Sequence, residues 1–196
     1  MIIGVSGKIG AGKDAVADFL VKAHGFKIVR FSDSLKEEVL RIMRKTCEEI
    51  WYVYNADSTR DKQNKFRKSS EDDLRRMLWD DKPPIIRRLL QEWGTELRRA
   101  EDPNYWIWKW NDAVRPLLAA GISVVAPDTR FQNEAAAVHL LGGYVLRVER
   151  PGLPVGDHAS ETEQDSITFD RVIQNIGTLD DLAVRVDKFL SSSLSA

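Results

Sequence analysis

Residues 2 to 14 read IIGVSGKIGAGKD, and this stretch decides the fold. Ile2, Ile3 and Val5 make a short apolar run of the kind that forms a buried strand, and it breaks directly into Gly7, Gly10 and Gly12. A periodic segment follows, with Val16, Phe19, Leu20 and Ala23 on one helical face. Strand, glycine loop and helix in that order are the context required by the pattern G-x-x-x-x-G-K, which GKIGAGKD at 7–14 matches. In such a loop the backbone around Gly7, Gly10, Ala11 and Gly12, together with the helix N-terminus, cradles phosphates. Lys13 then reaches the β and γ phosphates of a nucleotide. Asp14 stands where the pattern has Ser or Thr as a Mg²⁺ ligand. Its carboxylate can hold the ion directly or through water, or it can simply favour the positive end of the helix.

Outward from the loop the chain alternates strands and helices. Phe26 to Phe31 reads as a second strand, and the helix after it carries Leu35, Val39, Ile42 and Met43 on one face, with Asp33 or Ser34 as its cap. Ile122 to Ala126 is an apolar run, interrupted only by Ser123, that ends at Pro127 and Asp128, the pattern of a parallel strand buried on both faces. Tyr144 to Val148 is the next strand. Ala135, Ala136, Val138 and Leu141 supply the crossover helix between them, closed by Gly142 and Gly143. Val172 and Ile173 make a last short strand before a helix capped by Thr178. This alternation predicts a single α/β domain over 1–196 with an open parallel sheet and a ligand site at the carboxyl ends of its strands. From about 35 to 121 the chain reads almost wholly helical, far more than a crossover needs, which predicts a helical insert capping the strand ends. Trp93, Trp106 and Trp110 lie on helical stripes and read as core.

Of the 196 residues 43% are apolar and 30% charged, enough for a core and a solvated surface. Twenty-nine Lys and Arg against thirty Asp and Glu leave a formal charge of −1, so no global basic field exists to hold nucleic acid. One cysteine, Cys47, forms no internal disulfide, and the three histidines show no zinc-ligand spacing. No apolar run approaches a membrane span, and the N-terminus lacks a leader pattern, so a cytoplasmic protein without membrane contact is expected. A homodimer is compatible with the sequence.

The insert and the strand ends supply candidate residues. Asp33 follows the second strand, where a carboxylate can meet a sugar hydroxyl or cap a helix. Gln91, Thr95, Arg98 and Arg99 flank Gly94, read here as a helix break that lets a base or phosphate approach. The forked guanidinium of Arg98 or Arg99 suits an acceptor phosphate, the other being a surface charge. Asp128 ends the most buried strand and can orient Mg²⁺ or its waters, or cap a helix. Arg130 follows it, facing the charge of a transferring phosphoryl group or pairing with Glu134 in solvent. Arg150 opens a Pro- and Gly-containing stretch, about 150–166, that reads as a lid bringing a cation to the same group. No N-K-x-D segment of the kind that reads guanine is present. A small phosphate-loop protein with a large insert after its second strand fits a small-molecule kinase.

In content and order several blocks resemble the phage-type deoxynucleoside monophosphate kinases: GKIGAGKD, FSDSLKE at 31–37, LLQEWGTELRR at 89–99, PDTRFQNEA at 127–135, then RVERPG and DHASETE at 157–163. The resemblance covers nearly the whole chain. It implies the three-layer P-loop kinase fold and transfer of the γ-phosphoryl of ATP·Mg²⁺ to a deoxynucleoside monophosphate, with His158, Ser160 and Glu161 in the lid. The later blocks are also similar to phosphomevalonate kinases, and VIQNIGTLDDL at 172–182 looks like the adenine-side segment of dephospho-coenzyme A kinases. That likeness places Asn175 and Gly177 against the donor adenine; read alone, they are a turn before the Thr178 cap. A nucleotide-binding protein without catalysis is the reading from a different class, encouraged only by Asp14.

Overall fold

The computed structural model describes residues 1–45, 70–153 and 163–193. Cys47, and Asp157, His158, Ser160 and Glu161 of the expected lid, lie outside them. The chain divides into two compact units, one comprising Met1–Phe31 with Ile107–Ala196 and the other Ser32–Trp106.

The first unit is built on a five-stranded parallel sheet. Its strands are β1 (Ile2–Ser6), β2 (Lys27–Ile28), β3 (Val124–Ala126), β4 (Tyr144–Glu149) and β5 (Arg171–Gln174), in the order β2-β3-β1-β4-β5. β1 sits centrally because its side chains are buried on both faces. Ile3 and Val5 pack on one side with helix α1 (Lys13–His24) through Val16 and Leu20, and with the C-terminal helix (Leu179–Ser193) through Leu182, Val186 and Phe189. Ile2 faces the other side, with Trp110 and Val114 of Tyr105–Ala119 and with Ala135 and Val138 of Gln132–Leu140. Successive strand residues point to opposite faces, so one apolar run feeds both layers. The strand order reverses around β1, so the crevice at its carboxyl end is where such a sheet binds ligands.

Two boundaries differ from expectation. The second strand is shorter than Phe26–Phe31, and α2 (Phe31–Lys45) begins three residues before Ser34, putting Asp33 inside the first turn. Tertiary contacts decide this: the Phe31 amide donates to Asp128 Oδ1 at 3.0 Å, and its ring stacks on Trp110 at 4.2 Å. The last helix starts as expected, with Thr178 and Asp181 exchanging a capping box.

The described residues of the second unit are mostly helical and have a core of their own, formed by Val39, Leu40 and Met43 of α2 with Leu74, Leu78, Ile86 and Leu89. α3 (Glu71–Arg76) runs into a π-helical turn, Met77–Asp81, which ends at Lys82 with φ +41°. α4 (Pro84–Gln91) opens on a proline, continues without a break into a second π-wound stretch, Glu92–Arg99, and precedes α5 (Tyr105–Ala119), whose first residues belong to this unit. Gly94 therefore does not break the helix. It admits Leu35 instead, whose Cδ2 lies 2.8 Å from where a Cβ would stand. π-Helical windings are rare and concentrate at functional sites.

Glu38 organises this unit. One carboxylate oxygen accepts from Trp93 Nε1 at 3.0 Å and from Arg98 Nε at 2.8 Å, and the other accepts from the Tyr105 hydroxyl at 2.7 Å. The Arg98 guanidinium also lies 5.2 Å from both the Trp93 and Tyr105 ring centres. Burial pushes the Glu38 carboxyl up, but the bonds from Tyr105, Trp93 and Arg98 outweigh it and hold the group below its ordinary 4.5. Burial, and then the Glu38 charge, push the Tyr105 hydroxyl up. A carboxyl with a depressed native pKa contributes stability that is present above its unfolded pKa and lost as pH falls through the folded one. Glu38→Gln should therefore lower stability by about 1–3 kcal/mol at neutral pH. In urea melts the gap from the parent protein should shrink below 4.5 and close beneath the lowered native value; a gap independent of pH would refute the charge-assisted network.

Candidate functional site

The loop at the carboxyl end of β1 is made of backbone. Gly7, Gly10 and Gly12 have φ of +142°, +82° and +105°, a region in which side chains are strained. Space enforces the same choice at two of them. A Cβ on Gly7 would stand 2.4 Å from the Val148 carbonyl oxygen, and one on Gly12 would stand 2.5 Å from Asn175 Nδ2. The reversal leads into the N-terminus of α1, where the helix dipole favours an anion.

Lys13, in the first turn of α1, is buried, and its ammonium donates back to the loop's own Gly7 carbonyl and, at 2.8 Å, to the Lys8 carbonyl. The cation is thereby held over the loop. Asn175, just after β5, donates its Nδ2 to the Ala11 carbonyl at 2.7 Å, while its own amide donates to the Glu149 carbonyl at 2.6 Å. Gly177 directly precedes the Thr178 cap.

Asp14 is four-fifths exposed, and its Oδ1 accepts from Arg30 Nη2 at 3.1 Å. Arg30, between β2 and α2, is a neighbour of the loop that no spacing in the sequence points to. Asp128 follows β3, half-buried, with Oδ1 on the Phe31 amide, so it caps the start of α2. Arg130 does not stand opposite a solvated Glu134. Glu134 is buried, and its Oε2 accepts the backbone amides of Arg130 at 2.7 Å and Phe131 at 3.2 Å, shaping the turn into the next helix. Arg150 is exposed and makes no hydrogen bond or ion pair among the described residues.

These features lie within the first unit: the glycine loop, Lys13, the Asp14–Arg30 pair, Asp128, Arg130, Arg150 and Asn175. Among the described residues no group of three or more His, Cys, Asp or Glu side chains converges as a metal site. Asp14 and Asp128 are the carboxylates expected from the sequence to meet a divalent ion, and each already accepts a bond within the protein, from Arg30 and from the Phe31 amide. Mg²⁺ is usually held by one or two carboxylates together with phosphates and water, so its remaining ligands would come from a bound nucleotide.

In the second unit Asp33 lies 3.7 Å from Lys36, a lysine only 4% exposed that the sequence reading passed over. Gln91 and Thr95 lie on the continuous α4 helix, and Arg99 reaches the Pro103 carbonyl at 3.5 Å. Arg98 keeps its Nε on Glu38 and turns Nη1 to Glu101 at 3.1 Å. Glu38 escaped notice because a single Glu on a helix reads as a solvated charge. Its three donors come from far along the chain.

Comparison with known proteins agrees with this geometry. The sequence model of the family described as deoxynucleotide monophosphate kinase matches residues 34–186. A protein of Acanthamoeba polyphaga mimivirus that carries the deoxynucleotide monophosphate kinase name is 31% identical over 193 residues, covering 92% of this chain and 91% of its own. The deoxynucleotide monophosphate kinase of Enterobacteria phage T4 is 32% identical over 108 residues, 54% of this chain and 45% of its own. Among solved structures, a dephospho-CoA kinase from Campylobacter jejuni shares the fold, with a TM-score of 0.51 at 15% identity over 97% of this chain and 96% of that one. No helix among the described residues is long and apolar enough to cross a membrane. The glycine loop with its tethered lysine thus belongs to a phosphotransferase, and the chain is a member of the deoxynucleotide monophosphate kinase family.

Proposed function

We propose that this chain transfers the γ-phosphoryl group of ATP to the phosphate of a deoxynucleoside 5′-monophosphate. The observation that carries the reading is Lys13, a buried cation folded back onto the Gly7 and Lys8 carbonyls of a left-handed glycine loop. In binding ATP the ammonium exchanges carbonyl partners for β- and γ-phosphate oxygens, and the loop amides take the remaining charge. Little covalent chemistry is asked of the protein, since positioning and charge neutralisation do most of the work. Mg²⁺ held by Asp14 and Asp128 would supply further charge neutralisation at the phosphates. Arg130 and Arg150 bring cations to the transferring group, and Asn175 and Gly177 border the donor base.

The acceptor falls to residues 32–106. Asp33, Gln91 and Thr95 address its nucleoside, and Arg98 or Arg99 its phosphate. Arg98 is prepared for this role: Glu38 fixes Nε and so aims the fork. Glu101, 59% exposed, is the partner an incoming phosphate displaces, because exposed ion pairs contribute little.

ADP release from ATP·Mg²⁺ in the presence of deoxynucleotides, ribonucleotides, dephospho-coenzyme A and phosphomevalonate tests the reading. Turnover is expected with deoxynucleotides, and turnover with either of the last two alone would reassign the acceptor. Lys13→Ala should stay folded by circular dichroism and lose about 10²–10³-fold in kcat, because the cation faces developing charge. Parent-like turnover in that variant would end the phosphate-loop assignment.

Asp14→Asn separates metal contact from helix-terminal electrostatics. Asp14 lies in the first turn of α1 behind the Gly12 N-cap and makes no capping bond, and both its favourable charge at the helix end and the exposed Arg30 pair are worth less than about 1 kcal/mol, so stability should change little. The Mg²⁺ concentration for half-maximal turnover should rise and kcat fall. Superimposable Mg²⁺ titrations of the two proteins would leave the ion to Asp128 and the phosphates.

A further inference from the structure

The first amide of the phosphate loop is satisfied from far away in the chain. β1 pairs with β4 as far as Ser6, opposite Arg147, and the next backbone N–H, that of Gly7, donates to Gln164 Oε1 at 3.2 Å. A buried amide without a partner is costly, so this bond holds the point where the strand turns into the loop. Gln164 is itself only 1% exposed, and a buried carboxamide is tolerated only where its geometry is satisfied.

The turn that carries it, Glu163–Ser166, is fastened on several sides. Asp165 accepts from Arg147 Nη2 at 2.6 Å, on the same strand that passes over Gly7. Gln132 Nε2 donates to the Ser166 carbonyl at 3.1 Å, and the Ser166 hydroxyl closes the turn on the Glu163 carbonyl at 2.6 Å. Ile167 then anchors the chain in the core. Asn175 holds the Ala11 carbonyl, so two carboxamide side chains grip the loop at two points, Gly7 and Ala11.

We propose that Gln164 is a positioning residue for the donor site, and that the 163–166 turn braces the phosphate loop in its anion-binding conformation through the Gln164–Gly7 bond. Gln164 does not touch the nucleotide in this account. It acts by keeping the loop amides aimed before ATP arrives, so that less ordering is needed on binding. The proposal rests on the phosphate-loop reading of residues 7–14 but predicts a property of the loop that is measurable without any nucleotide.

Gln164→Met keeps the length and volume of the side chain and removes the strong acceptor. Exchange of the Gly7 amide, followed by NMR, should quicken by about tenfold or more, as for loss of a bond worth roughly that factor. kcat/KM for ATP should fall by about 10–100-fold, the scale of a small misplacement of catalytic groups, while KM for the deoxynucleotide stays within about twofold. Asp165→Asn, at a half-exposed position, weakens the Arg147 anchor without entering the core and should shift both readouts in the same direction by less. It decides the matter if the Met variant does not fold. Unchanged Gly7 exchange with an unchanged ATP dependence in the folded variant overturns the brace and leaves Gln164 as packing. Failure of the parent protein to turn over ATP would count against the phosphate-loop reading, and the Gly7 exchange would still decide the brace.

Discussion

A chain that leaves a central buried strand and enters a helix within six residues must find partners for its backbone without a sheet or a helix to supply them. That constraint governs the loop at 7–12. Its three glycines take positive φ, and two of them pass so close to Val148 and Asn175 that a methyl group would collide. Its groups are answered from outside, the Gly7 amide by Gln164, the Ala11 carbonyl by Asn175 and the Gly7 and Lys8 carbonyls by Lys13. The strands beside β1 and the turns that follow them have to be in place for the Gln164 and Asn175 bonds to form.

The buried Lys13 and the half-buried Glu38 serve different ends. Lys13 is a cation balanced by carbonyl dipoles, a weaker set of partners than a charged group would be. Glu38 is an anion saturated by Trp93, Arg98 and Tyr105, an arrangement that resists exchange and orients one arginine. A kinase needs both kinds, a site that yields to its substrate and a frame that does not. The Glu134 carboxylate belongs to the frame as well, since it receives two backbone amides at the start of a helix.

Local pattern made much of the fold legible. The alternation of apolar runs with periodic helices placed β1, β3, β4 and β5 and the Thr178 cap, and the glycine spacing placed the loop and Lys13. Where the reading missed, long-range contacts had overridden local signals. Phe31 reads as strand by its apolar neighbours, but the Asp128 carboxylate and the Trp110 ring draw it into α2. Gly94 reads as a helix break, yet it is small because Leu35 packs against it. Gln164 carries no signal at all, since a lone Gln in a polar stretch is invisible until the turn is folded against Gly7.

Local spacing was enough to show that a glycine loop follows a buried strand, that this strand belongs to a parallel sheet, and that helical periodicity follows the second strand. Those features depend on spacing within one element, which periodicity and the freedom of glycine record directly. Other features exist only in the folded chain: Asp14 pairs with Arg30, Glu134 is buried and holds two backbone amides, Glu38 orients Arg98, and Gln164 grips the loop. Hydrogen bonds between residues tens to more than a hundred positions apart leave no periodic trace, because their geometry exists only once the sheet and helices have brought the partners within about 3 Å.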